Sequence, residues 1–364
     1  MGEDRFAGRR QRIIEKIREQ NLDAAWITGL CNVRYLTGFT GSYGQLLLSR
    51  DEQIFVTDGR YREQSSLEVQ GCQIHILQNT SFPLLLSEFI CEKGWKQIGY
   101  EANHLTCESL DKQAALNDTT SWESLAGWVE NLRRVKDETE IRLLEDSSKI
   151  IDQVYPKLLE EIREGVTERQ ILQRLMCLLW DCGAKGPSFD PIILFGARTS
   201  LPHGRPSDCP LQKNSWVLID FGADYCGYCS DCTRTFFYGE PGELERERHH
   251  LVMRAYQEAL NQARAGAECA KVDAAAREVL AHAGLGEAFM HGLGHGVGVE
   301  IHEAPRLGPT STDTLEAGMV VTIEPGIYLA GWGGIRLENA VVITRDGARP
   351  LTSCDMSIEP YRFA

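Results

Sequence analysis

No run in this chain approaches the ~18 consecutive apolar residues that a membrane-crossing helix needs, so the sequence predicts no membrane span. The opening MGEDRFAGRRQR is charged throughout and has no apolar core, so a secretory signal is not expected. It also misses the N-myristoylation pattern, because position 6 is Phe6 rather than Ser or Thr. Basic charge is in deficit: 38 Lys and Arg face 52 Asp and Glu, a net charge of −14. That balance argues against nucleic acid and anionic membrane as main partners. Residues 1–130 hold neither a phosphate loop nor a GxGxxG fingerprint. The 12 cysteines are scattered over the chain, without a compact disulfide framework. These absences predict a cytoplasmic protein.

What is present fits a two-domain globular chain: 364 residues, 43% hydrophobic and 25% charged. Up to about residue 130, helix-period and strand-period segments alternate. Helices are expected at 9–20, 61–69 and 84–91. Strands are expected at 23–28, 45–48, 53–57, 72–77 and 97–100. A charged segment, 131–140, then contains Asp137 and Glu140 in a capping-box spacing. A long helix with apolar positions from 141 to 162 follows, closed by Gly165. Thr167 and Gln170 repeat the box for a second helix ending near Gly183. The boundary therefore lies between a domain of residues 1–131 and one of residues 132–364.

The stretch that organises the second domain is 220–235, DFGADYCGYCSDCTRT. Asp220 ends an apolar strand, and Asp231 opens the next strand after a Gly-containing turn. A carboxylate placed directly after four apolar residues is costly to desolvate unless something positive meets it. Two carboxylates facing each other would also repel, and a bound cation removes both problems. The frame recurs: Met319–Tyr328 repeats Trp216–Tyr225, with Glu324 in the place of Asp220 and Glu338 in that of Asp231. Helices expected at 243–264 and 271–283 precede this second copy as 137–183 precedes the first, so two related α/β halves are expected. Between the carboxylate pairs lies the Gly-rich segment 291–303, which holds His291, His295 and His302, and His203 follows Leu201-Pro.

Read singly, each residue has a plain structural reading: a cap or ion pair for Asp220, a packed ring for His295, a turn for His203, a cross-strand pair with Arg336 for Glu338. Read jointly, four carboxylates in duplicated frames and one Gly-flanked His match the ligand set for two divalent ions. An oxygen- and nitrogen-rich set suits Mn²⁺, Co²⁺, Fe²⁺ or Zn²⁺ rather than thiolate-seeking metals. Cys226, Cys229 and Cys232 form C-x2-C-x2-C. A cluster site would need a fourth cysteine close by, but position 236 is Phe236 and the next cysteine is Cys269. Small residues near a turn, with some sensitivity to oxidation, are the simpler reading. Asp58-Gly-Arg60 reads as a strand-to-helix turn with a local ion pair. Tyr328 and Trp332 are candidates to line a pocket.

These motifs, with Asn32–Ser42, Thr57–Tyr61 and Arg134–Arg142, resemble the metal-dependent pita-bread peptidases over essentially the whole chain. That group includes Xaa-Pro aminopeptidases and Xaa-Pro dipeptidases (prolidases). The resemblance implies an α/β (α+β) architecture with a creatinase-like N-terminal domain and a pseudo-twofold pita-bread catalytic domain. It implies five metal ligands, Asp220, Asp231, His295, Glu324 and Glu338, with Asp231 and Glu338 bridging two ions, Mn²⁺ first among them. It assigns substrate handling to His203, His291, His302 and Arg336, and base catalysis to Glu324. Its implied chemistry is attack by a hydroxide shared between the ions on the carbonyl before proline, with His302 helping to stabilise the oxyanion. Short proline-containing peptides are the implied partners, and a homodimer the implied assembly. The compact length gives a lean toward aminopeptidase, with dipeptidase as the alternative. The intact ligand set argues against two relatives of the same fold, a non-catalytic binding module and a metal-free creatinase-type hydrolase.

Overall fold

The computed structural model describes residues 4–125 and 127–360. The first residues of the charged N-terminal stretch, Met1 to Glu3, lie outside them. The chain divides into two compact units, Met1–Arg133 and Arg134–Ala364. Among the described residues no helix is long and apolar enough to cross a membrane.

The first unit is a six-stranded mixed sheet. Its order is Gln73–Leu77, Gln53–Asp58, Gln45–Ser49, Ala24–Ile27, Gln97–Tyr100, Ser121–Ser124. Trp26, Leu86 and Ile98 are buried in its core, and Trp26 stacks on Phe82 at 5.4 Å. The expected helices form as Ala7–Glu19, Arg62–Glu68 and Phe82–Lys93. Three further helices, Leu30–Thr37, Cys107–Leu116 and the short Trp128–Arg133, were not expected. The first of them occupies most of the Asn32–Ser42 motif, and its entry explains that motif. Gly29 caps the helix without a side chain. The remote, buried Glu101 accepts the N–H groups of Thr28 and Gly29 at 2.6 and 2.7 Å, and the Asn32 amide at 2.6 Å. A carboxylate at a helix N-terminus satisfies orphan donors and complements the dipole. His104 and Glu130 complete this cluster through a 2.9 Å contact. Its oxygens are already engaged by protein donors, and it anchors a helix. Asp58 accepts the Arg60 N–H at 2.9 Å and pairs with its guanidinium at 2.8 Å, forming the expected local turn.

The second unit opens with the two capping boxes. Asp137 accepts the N–H groups of Thr139 and Glu140 at 2.9 Å, and Glu140 accepts that of Asp137 at 3.1 Å. The helix runs Glu138–Leu159. It ends earlier than its apolar pattern suggests, because Ile162 is buried from the turn that follows. Thr167 and Gln170 cap Glu168–Asp181. These helices cover one face of the antiparallel sheet Ile192–Phe195, Ser215–Phe221, Cys232–Tyr238 through a core that includes Ile151, Leu175, Val217 and Phe236. The second half repeats the scheme. Helices Glu243–Gln262 and Cys269–His282 pack on a five-stranded sheet in which Gly294–Gly296, Val320–Ile323 and Asn339–Ile343 are neighbours.

In each half an outer strand pair gives way to a smaller inner hairpin. Ser215–Phe221 and Cys232–Tyr238 enclose Ala223–Tyr225 and Tyr228–Cys229. Val320–Ile323 and Asn339–Ile343 enclose Gly326–Leu329 and Gly333–Arg336. The carboxylates sit where outer pairing stops. The register corrects one expectation: Asp220 pairs with Thr233, not with Asp231. In the second half Ile323 pairs with Asn339, and the Leu337 N–H donates to the Pro325 carbonyl at 3.3 Å, so Glu324 and Glu338 do face each other. Within the Gly-rich histidine segment, Gly294–Gly296 forms a short strand of the second sheet. A Cβ on Gly294 would lie 2.0 Å from the Thr322 carbonyl oxygen, so glycine is required for the sheet to close there.

Behind the segment that carries His302, Lys136 pairs with Glu303 at 3.0 Å, with side chains 1% and 5% exposed. Glu303 also accepts the Glu300 N–H at 3.1 Å. Removing one member of a buried pair leaves the other charge uncompensated. Lys136→Met is therefore expected to destabilise the protein by about 3–5 kcal/mol. Chemical denaturation checks this; a change below about 1 kcal/mol would show the pair to be dispensable.

Candidate metal centre

The five residues implied as ligands converge in the second unit. His295 Nε2 lies 3.6 Å from Asp231 Oδ2 and 3.5 Å from Glu324 Oε1. Asp231, His295 and Glu338 each present a ligand atom within 4.8 Å of the others. The His295 tautomer is set by its neighbour: Nδ1–H donates to the Gly296 carbonyl at 3.0 Å. The Nε2 lone pair is thus left facing carboxylates, the usual preparation of a metal-binding imidazole. Asp220 accepts Arg336 Nη2 at 2.5 Å through Oδ2, while its buried Oδ1 has no hydrogen-bond partner.

Two threonines hold the carboxylates in place. Thr233 Oγ1 donates to Glu338 at 2.5 Å and accepts from Arg336 Nε at 3.0 Å. Thr322 Oγ1 donates to Glu324 at 3.1 Å and accepts the His295 N–H at 3.0 Å. Sequence reasoning passed over both. The signal was there: each lies two residues from a ligand on a strand, hence on the same face.

The electrostatics follow from crowding. Burial, then the charges of Asp220 and Glu324, push the Asp231 carboxyl well above its usual range. Burial and the neighbouring carboxylates do the same to Glu338. Burial pushes Glu324 up to about 7, against the pull of Arg336, and His295 down to about 4. Among the described residues Arg336 is the one guanidinium paired with these acids, so negative charge is under-compensated. An orphaned Asp220 oxygen, an imidazole lone pair aimed at carboxylates and excess buried negative charge all fit divalent cations with oxygen and nitrogen ligands.

The other residues singled out take different places. His203 and His302 line a cavity of about 1070 Å³ in front of the acids, and His302 packs edge-on against His295 at 4.4 Å. His291 also lines it, but its ring nitrogens are occupied. Nδ1–H donates to the Gly292 carbonyl at 2.8 Å, and Nε2 meets the Tyr328 hydroxyl at 2.9 Å. Burial pushes His291 down to about 4, so Nε2 accepts from Tyr328, whose oxygen in turn accepts Arg336 Nη1 at 2.8 Å. Arg336 is buried behind the acids and bonded to Asp220, Tyr328 and Thr233. Phe189, Ile192, Pro202 and Ile301 give the cavity an apolar wall, and exposed Arg306 stands at its rim. Trp332 does not line it; it packs edge-on against Trp216 at 5.4 Å, beneath Arg248. The three motif cysteines diverge rather than forming a cluster site. Cys226 is exposed at the hairpin turn, Cys229 reaches the Val299 carbonyl at 3.8 Å, and Cys232 is in the core.

Comparison with known proteins agrees with this geometry. Residues 142–345 match the model of metallopeptidase family M24, and residues 9–135 match the creatinase/prolidase N-terminal domain. A Pyrococcus horikoshii protein named Xaa-Pro dipeptidase is 34% identical, the match covering 96% of this chain and 97% of that one. A structure titled Xaa-Pro dipeptidase from Bacillus anthracis superposes with a TM-score of 0.94 at 35% identity, covering 97% and 99% of the two chains. The structure of an X-Pro aminopeptidase from Thermotoga maritima superposes with a TM-score of 0.90 at 33% identity, covering 96% and 99%. The chain belongs to metallopeptidase family M24, with a creatinase/prolidase N-terminal domain and a pita-bread catalytic domain. It is a hydrolase that uses divalent metal.

The raised carboxyls tie metal affinity to pH. In the metal-free protein Glu324 titrates near 7 against an ordinary 4.5. A folded-state value above the unfolded one stabilises below about 4.5, and that stability is lost as pH rises through about 7. Metal ions displace those protons. Metal affinity is expected to rise over the same window, with proton release on binding and recovery of the stability lost at high pH. Titration calorimetry in buffers of different ionisation enthalpy, with denaturation of chelator-treated protein, tests this. An affinity flat between about pH 5 and 7 would contradict it.

Proposed function

We propose that the protein hydrolyses the Xaa-Pro bond at the N-terminus of short peptides, with two metal ions, Mn²⁺ first, held by Asp220, Asp231, His295, Glu324 and Glu338. The observation that carries this reading is the convergence of these residues at the back of a cavity with one apolar wall and two imidazoles in front. The bound ions would supply Lewis acidity and lower the pKa of the attacking water. Glu324, already drawn toward neutral pH by burial, takes the proton from that water as general base. His302, whose pKa is lowered by burial and by Arg306, is neutral near pH 7 and donates a hydrogen bond to the developing oxyanion. His203, exposed in the lining of the same cavity, positions the substrate and assists protonation of the leaving imino nitrogen. With both ring nitrogens engaged, His291 acts by position, and Arg336 acts by orienting Asp220 and Tyr328. Proline brings no N–H to the site, which suits the apolar wall of Phe189, Ile192 and Ile301.

Arg306 shifts the balance from aminopeptidase, the lean taken from length, to dipeptidase. It is exposed, lines the cavity, and has no ion-pair partner among the described residues. A guanidinium so placed suits the free carboxylate of a dipeptide. The aminopeptidase reading stays second, favoured by a cavity with room for a longer peptide. A homodimer and a cytoplasmic location complete the proposal. The first rests on the family resemblance, the second on 12 cysteines without a disulfide among them.

Purified protein supplied with Mn²⁺, Co²⁺ or Zn²⁺ is expected to cleave Ala-Pro faster than Ala-Pro-Ala and to leave Ala-Ala-Ala intact. Arg306→Ala should raise KM for Ala-Pro by roughly tenfold or more at little cost in kcat, the loss of one charge-assisted bond. Asp231→Asn should abolish turnover. Equal cleavage of Ala-Pro-Ala after its first residue would establish the aminopeptidase reading, and no cleavage with any metal would end both.

A further inference from the structure

His302 needs a fixed place, and its own ring does not secure one. Among the described residues no hydrogen bond reaches the imidazole, which is exposed and packs edge-on against His295 at 4.4 Å. The sheet does not secure it either. His295 pairs with Arg306 and Gly296 with Glu303, so Ala304 and Pro305 bulge unopposed from the return strand. Such a bulge interrupts the ladder and bends the chain. His302 ends the connection 297–302 just before this break. Two side chains hold that connection instead. Near its start, the Gly298 carbonyl accepts the Cys229 N–H at 2.8 Å, and the Val299 carbonyl accepts the Cys229 thiol at 3.8 Å. The middle cysteine of the motif thereby ties the connection to the inner hairpin of the first half. At its end, Glu303 Oε1 accepts the Glu300 N–H at 3.1 Å and closes a turn through Ile301 and His302. Glu303 Oε2 is held in turn by Lys136 Nζ at 3.0 Å, and Lys136 also donates to the Arg134 carbonyl at 3.3 Å. Gly298 packs on the same carboxylate: a Cβ there would lie 2.5 Å from Oε2 and 2.7 Å from Oε1. The carboxylate thus touches both ends of the connection and is pinned by a buried ammonium.

We propose that Glu303 is the positioning residue for His302: its carboxylate closes the turn that holds the imidazole in front of the metal centre, and Lys136 keeps that carboxylate in place. This rests on the peptidase reading above, in which His302 donates to the developing oxyanion. A donor of that kind helps only at the position the oxyanion will occupy. A misplacement of about 1 Å costs on the order of a hundredfold in rate. The ion pair with Lys136 bears on stability, whereas the bond to the Glu300 N–H bears on geometry, and substitution can separate the two.

Two double variants make the separation. Both remove the buried charges together, which avoids the uncompensated ion that either single substitution leaves. Lys136→Met with Glu303→Gln keeps an acceptor for the Glu300 N–H, whereas Lys136→Met with Glu303→Leu does not. Chemical denaturation is expected to place both near the parent protein. With Mn²⁺ and Ala-Pro, the Gln variant is expected to keep kcat within about threefold, and the Leu variant to lose roughly tenfold to a hundredfold in kcat with KM little changed. Gly298→Ala keeps both charges but pushes the carboxylate aside, and the same loss in kcat is expected. Amide hydrogen exchange over residues 297–303 should quicken in the Leu variant and in Gly298→Ala, and not in the Gln variant. Equal kcat in the two double variants would overturn the proposal, as would unchanged kcat in Gly298→Ala. Should the Leu variant fail to fold, Gly298→Ala decides alone. A parent protein without peptidase activity would sink the reading of His302 and the catalytic half of this proposal, and the exchange rates would still decide whether Glu303 closes the turn.

Discussion

The constraint on which the catalytic unit depends is charge compensation. Asp220, Asp231, Glu324 and Glu338 are packed together with, among the described residues, one paired guanidinium, that of Arg336. Desolvated carboxylates repel and protonate unless cations intervene. The surroundings are arranged for cations rather than for neutral acids. His295 turns its lone pair inward, Asp220 keeps one oxygen without a partner, and Thr233 and Thr322 spend their protons on Glu338 and Glu324. Each detail is costly in the metal-free chain and becomes favourable once positive charge is present.

Duplication is how one chain assembles such a cluster. In both halves the carboxylates stand where the outer strand pair hands over to the inner hairpin. There backbone pairing loosens and side chains can turn inward. The halves are not copies in register, however. Glu324 and Glu338 face each other, whereas Asp220 faces Thr233. This offset leaves room for Arg336 Nε on Thr233 and Nη2 on Asp220. A strictly symmetric pair of hairpins would have placed a second carboxylate there and lost the one compensating charge.

Much of this was legible in the sequence because it is local. Capping boxes, apolar periods, the duplicated Asp and Glu frames and the Gly-flanked His each lie within a short window. What was not legible is tertiary. The helix Leu30–Thr37 lacks a cap of its own and is anchored by Glu101, which no local pattern links to it. Register moved Asp220 from Asp231 to Thr233, since turn lengths inside nested hairpins cannot be counted from composition. The histidines read alike in sequence but differ in place. His291 is locked by Gly292 and Tyr328, whereas His203 and His302 face the open cavity. Arg306 passed unnoticed because an exposed arginine is unremarkable until the cavity it borders is seen.

The cysteine motif shows the same distinction from the other side. Its spacing is conspicuous, yet its thiols diverge. The far end of the chain, in contrast, is no loose tail. Arg234, fully buried, donates to the carbonyls of Thr233, Glu338 and Cys354 and to Asn339 Oδ1. Asn339 also accepts from Thr352. One guanidinium therefore ties the backbone beside two carboxylate-bearing strands to the segment 352–354.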